Sequence, residues 1–475
     1  MATDKTPPRI TRRPAAAPAA KTIQRGPASR SLGDAKPSAT TKRPAPRQAA
    51  QRPATAGARP TASKPPRFQR AAKAEKGPRS PIIPRIVAYL NGVYGHQSML
   101  FNWILSATLL LIVFGCIMVL SASSIDSIKA YGNPIIISAK QFGSAFAGFI
   151  VMTIAVTRTE AFWERWSLRL YWGAIILQAL VFVPGLGVNV NGNREWIRIP
   201  GISYTIQPSE FIKLALIISL ALLLTTRQPY IEDQKAYTYT ALVRAGIPIL
   251  AIMAGNDLGT SIVVLLMTFL MIWLSGVPGW QMRLPILLVS AAGIVSLFVG
   301  SSRIGRIVAW LDPSSSDTAN NYAWQSEHGI WALANSHIVG QGLGMSTLKW
   351  SWIPEVENDY IFAIIGEELG IIGALATVAI FLLLGYWIIK VGQRARDSFG
   401  RLVCYGIAIW IVMQAMINIA VVLKCLPVLG VPLPLISAGG SSLVAGMAAI
   451  GVVLSIERQN HLDLDGGMRR PQKAR

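Results

Sequence analysis

The chain has 475 residues, 52% of them hydrophobic and 14% charged. Soluble domains are about one quarter charged, so a purely soluble enzyme is excluded. The formal net charge of +22 is concentrated at one end: residues 1–98 carry 20 Lys and Arg against 3 acids, a net of +17, which leaves +5 for everything after.

Residues 1–85 contain 15 of the 29 prolines and one aromatic, Phe68. Such a segment has too little apolar surface to offset the entropy of ordering it. It is expected to be a disordered basic arm. It lacks the apolar core of a signal peptide. Its charge fits a cytoplasmic arm beside anionic lipid better than a nucleic-acid-binding arm.

A membrane-spanning helix needs roughly 20 mostly apolar residues. Ten such runs follow in chain order: Leu100–Ser121, Pro134–Val156, Leu170–Val183, Pro208–Leu224, Leu242–Ala254, Leu258–Leu274, Leu284–Val299, Tyr360–Ile389, Leu402–Val422 and Pro434–Ile456. The expected fold is therefore all-α and polytopic, with about ten spans over residues 86–456 and a short basic tail over 457–475. Basic residues cluster before the first run, after the second (Arg158, Arg165, Arg169), after the eighth (Lys390, Arg394, Arg396, Arg401) and at the C-terminus. That alternation places both termini in the cytoplasm of a multi-pass plasma-membrane protein. Two outward loops remain, Gly185–Ile206 and Gly300–Asp359. The second is about sixty residues long, too long for a simple connector. It is rich in Trp (Trp310, Trp324, Trp331, Trp350, Trp352), which points to short helices at the outer membrane surface.

Cys116, Cys404 and Cys425 form no CxxC, and the four histidines show no metal-ligand spacing, so no disulfide framework and no dedicated metal site is expected. The informative polar residues are those inside or at the mouths of the runs, where ionisable groups are costly. Lys140 lies in the second run and can pair or snorkel. Glu210 and Lys213 are three residues apart, on one helical face. They read equally as a neutralising pair and as a functional site. Asp257 opens the sixth run and can cap its helix. Asp359 ends the long outer loop and opens the eighth run. It reads either as a helix cap or as a general base at the membrane–water boundary. Glu367 lies about 80° around and roughly 12 Å along a helix from Asp359, and Glu368 about 180° away. Neither is placed as a paired carboxylate, so a two-acid glycosidase arrangement is not supported.

Five stretches resemble the SEDS family (shape, elongation, division and sporulation): VPGLGVNVNGNREWI (Val183–Ile197), QPSEFIKLAL (Gln207–Leu216), NDLGT (Asn256–Thr260), GQGLGMSTLKWSWIPEVENDYIFAIIGEELG (Gly340–Gly370) and LPVLGVPLPLISAGGSSL (Leu426–Leu443). The resemblance covers the apolar body, about Leu100 to Ile456, and none of the tail. It implies a ten-span glycosyltransferase that polymerises lipid II into peptidoglycan strands. The LPLISAGGSSL ending and the GEELG context lean toward the FtsW-like division branch over the RodA-like elongation branch. A lipid II flippase and a non-catalytic division scaffold are the rival readings.

By resemblance, Asp359 matches the acid of the family's PEAHTDFIFA motif, its proposed base. Glu210, Lys213, Asp257, Glu367, Glu368 and Ser437 match further family motif positions, and all of these but Glu368 are expected to bind substrate. Lys213, Arg194, Arg306 and Lys349 are candidate partners for a pyrophosphate leaving group, since cations make charge-assisted contacts to phosphate oxygens. A divalent cation is a possible helper, without a dedicated cage. The partners implied are lipid II, a class B penicillin-binding protein transpeptidase and other division proteins. The sequence departs from the family pattern at Glu195 (where the family has Arg, a role the adjacent Arg194 could take), Asn256, Ser336-His337, Glu357 and Ala438.

Overall fold

The computed structural model of the chain describes residues 82–468 except 96, 191–192, 199–200, 202–203, 227–233, 278, 284, 288–289, 292–300, 313–316, 348 and 351–355. The described helices are α1 (Ile82–Tyr94), α2 (Met99–Tyr131), α3 (Ile136–Val156), α4 (Glu160–Ala179), α5 (Pro208–Thr226), α6 (Gln234–Ala254), α7 (Leu258–Leu274), α8 (Ser301–Leu311), α9 (Asp317–Ala334), α10 (Ile361–Arg394), α11 (Ser398–Val422) and α12 (Gly440–Met468). Nine of the ten predicted runs coincide with helices. The seventh, Leu284–Val299, lies mostly outside the described residues, as do Trp352, Pro354 and Glu355 of the long loop. Among the described residues, six helices are long and apolar enough to cross a membrane: α2, α3, α5, α10, α11 and α12. The count of ten spans is an expectation that these six do not by themselves establish.

Two expected boundaries shift. The arm predicted over 1–85 lies outside the described residues as far as 81, and residues 82–85 form the first turn of α1. The C-terminal tail predicted from 457 is helical to Met468, because α12 continues past its apolar stretch. Residues 469–475 lie outside the described part.

The helices fit a bilayer in how they end and how they face. α2 starts at Ser98, whose hydroxyl accepts from Phe101 N at 3.1 Å and donates to Glu457 at 2.6 Å, joining the starts of α2 and the end region of α12. It stops at Gly132, which is left-handed at φ 69°. One side of α2 is buried through Phe101, Ile104, Leu111 and Met118, while Leu110, Val113 and Ile117 are exposed. A helix apolar on both sides is what a lipid-facing span requires. α12 packs along α3, α10 against α11 and α2, and α4 against α5. In α6, Pro248 has no N–H to give to the carbonyl of Arg244 four residues earlier. The hydroxyl of Tyr171 on α4 donates to that carbonyl at 2.7 Å instead.

Two features were not anticipated. The outer loop after α4 folds into an antiparallel sheet of β1 (Gly187–Val190), β2 (Asn193–Arg198) and β3 (Thr205–Ile206), in that order. The register jumps from Val188↔Trp196 to Asn189↔Arg194, which leaves Glu195 as an extra residue in a bulge. The predicted continuous helix at 360–389 is broken at Gly370, where φ is 71° and ψ −171°. The loop before it fills the break. Gln341 N and Gly342 N donate to the carbonyls of Glu367 and Glu368 at 3.0 and 2.9 Å, and Ile371 N and Ile372 N donate to His337 O and Ile338 O at 3.3 Å each. A Cβ on Gly340 would stand 2.3 Å from Glu368 O, so the strand-like approach depends on a glycine there.

α2 meets the turn before α12 just as closely at Gly115. A Cβ there would lie 2.7 Å from Ile436 Cα and 2.9 Å from Ile436 O, both backbone atoms that cannot rotate away. Gly115→Ala is expected to destabilise the protein by about 1–3 kcal/mol, the usual cost of overpacking. The check is a lowered unfolding midpoint in detergent, with an unchanged midpoint for Gly143→Ala, whose Cβ would meet nothing within 4 Å.

Candidate functional site

A polar cleft of about 330 Å³ opens where β2, the start of α7, α8, the residues before α10 and the 429–442 segment meet. Its lining includes Glu195, Gln207, Asp257, Arg306, Asp359, Gly430 and Ser442. Of the residues singled out by sequence, Asp359, Asp257 and Arg306 are brought together here. Glu195 joins them, carried inward by the bulge in β2.

Each lining acid is positioned by a local cause. Asp257 caps α7, with its carboxylate accepting from Thr260 N at 2.8 Å, so the capping reading holds. Its other carboxylate oxygen is buried without a hydrogen-bond partner among the described residues. Asp359 is not the cap of α10; that position is Tyr360. The backbone of Asp359 is instead fixed from outside its own helix. Asn418 on α11 donates from one amide nitrogen to Asp359 O and to Val431 O, both at 2.8 Å. Ser437 donates to Asn358 O at 2.6 Å and accepts from Leu433 N at 2.8 Å, and Ala438 N donates to Glu357 O at 2.9 Å. Gly430, left-handed at φ 71°, presents bare backbone to the acid: a Cβ there would sit 3.6 Å from Asp359 Oδ2. Ser437 thus braces the segment carrying Asp359 rather than lining the cleft.

Arg306 on α8 is the cation of the cleft lining, and its guanidinium also donates to Val428 O at 3.4 Å. Glu195 accepts from the Gln207 amide at 3.3 Å. Burial, together with the nearby Asp257 and Asp359 carboxylates, pushes Glu195 up to about 9, against the opposing pull of Arg306 and a hydrogen bond with Asn193. Near neutral pH it is a carboxylic acid that can donate a hydrogen bond, while the cleft keeps one guanidinium. A proton acceptor at Asp359, a donor at Glu195 and a cation at Arg306 can together serve acid–base chemistry on a substrate bearing negative charge. Among the described residues, no grouping of three or more His, Cys, Asp or Glu is placed to hold a metal ion.

The remaining predicted residues lie outside this lining. Lys213 and Glu210 are both 1% exposed and form a 2.7 Å ion pair. Lys213 also donates to Gln414 Oε1 at 2.8 Å and lies 5.0 Å from the Trp410 ring centroid. Gln414 in turn donates to Pro432 O at 2.9 Å, so the pair supports the floor of the cleft one layer below. Glu367 accepts from Thr347 N at 3.0 Å and from the Thr347 hydroxyl at 2.8 Å, and also from the Ser346 hydroxyl. Glu368 accepts from Ser121 at 2.6 Å and from Lys349 at 3.4 Å. These three charged residues tie the 344–350 loop to α10 and α2. Arg194 is exposed on β2, and its backbone N–H donates to Gly255 O at 2.9 Å. Gln207 entered the sequence reading only as part of a family motif, and Gln414 and Asn418 escaped it. The available signal was an amide inside an apolar run, which must find a partner there.

Lys213→Ala leaves a buried carboxylate unneutralised and should cost about 3–5 kcal/mol, read as lost expression and a lowered unfolding midpoint. Glu210→Gln on that background should recover part of both. For Glu195, a folded value raised from 4.5 to about 9 means that stability is full below pH 4.5 and is lost as pH rises toward 9. Glu195→Gln mimics the protonated form. The variant should match the unsubstituted protein at pH 5 and exceed it at pH 8–9 in thermal melts.

A sequence model of the FtsW, RodA and SpoVE family, described as "Cell cycle protein", matches residues 102–462. A "Probable peptidoglycan glycosyltransferase FtsW" of Geobacter sp. (strain M18) is 36% identical over 354 residues, covering 74% of this chain and 95% of the relative. A protein of the same description from Mycobacterium tuberculosis (strain ATCC 25618 / H37Rv) is 34% identical over 360 residues, covering 75% and 68%. Among solved structures, the Thermus thermophilus rod shape determining protein RodA matches with a TM-score of 0.57 at 21% identity, covering 78% of this chain and 99% of that one. A chain from a structure of "a peptidoglycan synthase complex" matches with a TM-score of 0.61 at 21% identity, covering 78% and 99%. Family match, relatives and fold agree, and the chain belongs to the SEDS family of multi-pass membrane proteins.

Proposed function

We propose that this chain is a peptidoglycan glycosyltransferase that polymerises lipid II during septal wall synthesis, with Asp359 as its general base. The observation that carries the reading is the convergence of Asp359 with Arg306 in one cleft, at the start of the long apolar helix α10, in a chain whose 31–36% identical relatives are described as FtsW glycosyltransferases. The substrate class explains the placement. The donor's lipid stays in the bilayer while its sugars lie outside, so the reacting carbon sits at a helix mouth.

In the step proposed, the Asp359 carboxylate takes the proton of the acceptor's 4-hydroxyl. The oxygen then bonds to the anomeric carbon of the donor sugar, and the bond from that carbon to the pyrophosphate oxygen breaks. The electron pair leaves with the lipid pyrophosphate, whose charge Arg306 is placed to meet. One base and a stabilised leaving group suffice for inversion at that carbon. Glu195, as a neutral acid, is placed to hydrogen-bond a substrate oxygen without adding negative charge. Glu210, Lys213 and Ser437 act through the backbone around the cleft, Asp257 lines it, Glu367 and Lys349 hold the 344–350 loop, and Arg194 lies outside the lining.

The orientation proposed has both termini in the cytoplasm and the cleft on the outer face, supported by the Lys and Arg clusters between the runs. The domain assignment proposed is a basic N-terminal arm, a transmembrane catalytic body and a short basic C-terminal segment. The partners proposed are a class B penicillin-binding protein transpeptidase and other division proteins. The division role rests on the FtsW descriptions of the relatives.

Asp359→Asn keeps the shape of the side chain and removes the base. Polymer formed from labelled lipid II should fall by about 10²–10⁴-fold, with a near-normal melt and near-normal lipid II binding. Near-native polymer from a folded Asp359→Asn protein would remove Asp359 from the mechanism. Lipid II transfer across vesicles without polymer would favour the flippase reading.

A further inference from the structure

A second pocket, of about 400 Å³, lies at the other end of α10, between its last turns and the first turn of α2. Its lining includes Met99, Trp103, Tyr386, Trp387, Lys390 and Arg394. Thirty-one residues separate Lys390 from Asp359, roughly 45 Å of helix path, so this pocket is no part of the cleft. We propose that it is a binding site for the headgroup of an acidic glycerophospholipid, held by Lys390 and Arg394 and bordered by the indoles of Trp103 and Trp387.

Three observations carry this. Lys390 and Arg394 are four residues apart and therefore on one face of α10, and the pocket lining contains no acid among the described residues. A phosphodiester is what such a pair lacks: guanidinium offers a fork to two phosphate oxygens, and the ammonium a second charge. Trp103 and Trp387 stack across the two helices with centroids 5.4 Å apart and 28° between planes, and Lys390 lies 5.4 Å from the Tyr386 centroid. Amphipathic rings beside cations mark the depth at which headgroup meets acyl chain. Met99 (78% exposed), Trp103 (52%) and Tyr386 (53%) leave apolar surface open on the pocket rim, which acyl carbons would cover. Basic pockets between membrane helices commonly take acidic headgroups. A free anion would meet the cations but leave this rim uncovered.

The site bridges two helices that sequence separates by about three hundred residues, so an occupant would fasten the start of α2 to the end of α10. The test is native mass spectrometry of the full chain in detergent with equimolar phosphatidylglycerol and phosphatidylcholine. The protein should retain phosphatidylglycerol in preference. K390Q/R394Q should lower that retention by about fivefold per cation, roughly thirtyfold for the pair, with phosphatidylcholine unchanged. K390R/R394K should keep it, which separates lost charge from lost folding. Excess inorganic phosphate should leave the lipid in place. Equal retention by the original protein and K390Q/R394Q, absence of any preference, loss in K390R/R394K, or displacement by inorganic phosphate would each overturn the proposal.

Discussion

A polar group inside a bilayer has no water to turn to, so it must be paired within the protein. In this chain that constraint also builds the site. Lys213 neutralises Glu210 and meets Gln414, and the other end of Gln414 holds Pro432 O. One turn further along α11, Asn418 holds Val431 O and Asp359 O with one nitrogen. The amides of a buried helix therefore fix both the non-helical 429–438 segment and the residues before α10. Irregular backbone at membrane depth is tolerated only where protein satisfies it. Here the satisfied backbone is the wall on which Asp359 is mounted.

The same logic accounts for the break in α10. Opening a helix at Gly370 frees carbonyls and N–H groups that lipid cannot satisfy. The 337–342 segment supplies the partners, and it can approach because Gly340 and Gly370 have no side chains. Glu367 and Glu368 then anchor the following loop through Ser346, Thr347, Lys349 and Ser121. Two carboxylates inside an apolar helix look like chemistry when read along one helix. In three dimensions both Glu367 oxygens are taken by the 346–347 loop and one Glu368 oxygen by Ser121 of α2 and Lys349, while the second Glu368 oxygen is buried without a hydrogen-bond partner among the described residues.

The helices were legible because apolar runs of membrane length have few alternatives, and nine of the ten coincide with helices in the structure. The capping role of Asp257 was also readable, since Asn-Asp before an apolar run at a turn is a local signal. What escaped depended on contacts between distant segments. The β1–β3 sheet is held by pairs such as Val188 with Trp196 and Ile197 with Ile206, in a loop too short and mixed to show alternation. Gln414 and Asn418 look like isolated amides until the 429–432 backbone is folded against them. Asp359 was located by its place at a loop–helix junction and by family resemblance. The neighbours that make its surroundings are Glu195 on β2, from the other outer loop, and Arg306 on α8, from the far end of the loop that Asp359 closes.

Glu195 shows how the cleft absorbs a change of sign. By the family resemblance this position would carry a cation, and an ionised Glu there would shift the local charge by two. Beside Asp257 and Asp359, with Arg306 as the cation in the lining, an ionised third carboxylate would leave the cleft two charges short of balance. Partial burial and those two neighbours instead hold Glu195 protonated near neutral pH. The charge then shifts by one, and the position retains a hydrogen-bond donor, which is what an arginine would also have offered. The bulge at Glu195 turns this donor into the cleft rather than along the sheet. Under the function proposed here, a neutral acid at this position would keep what an arginine offers a substrate oxygen, a proton to share.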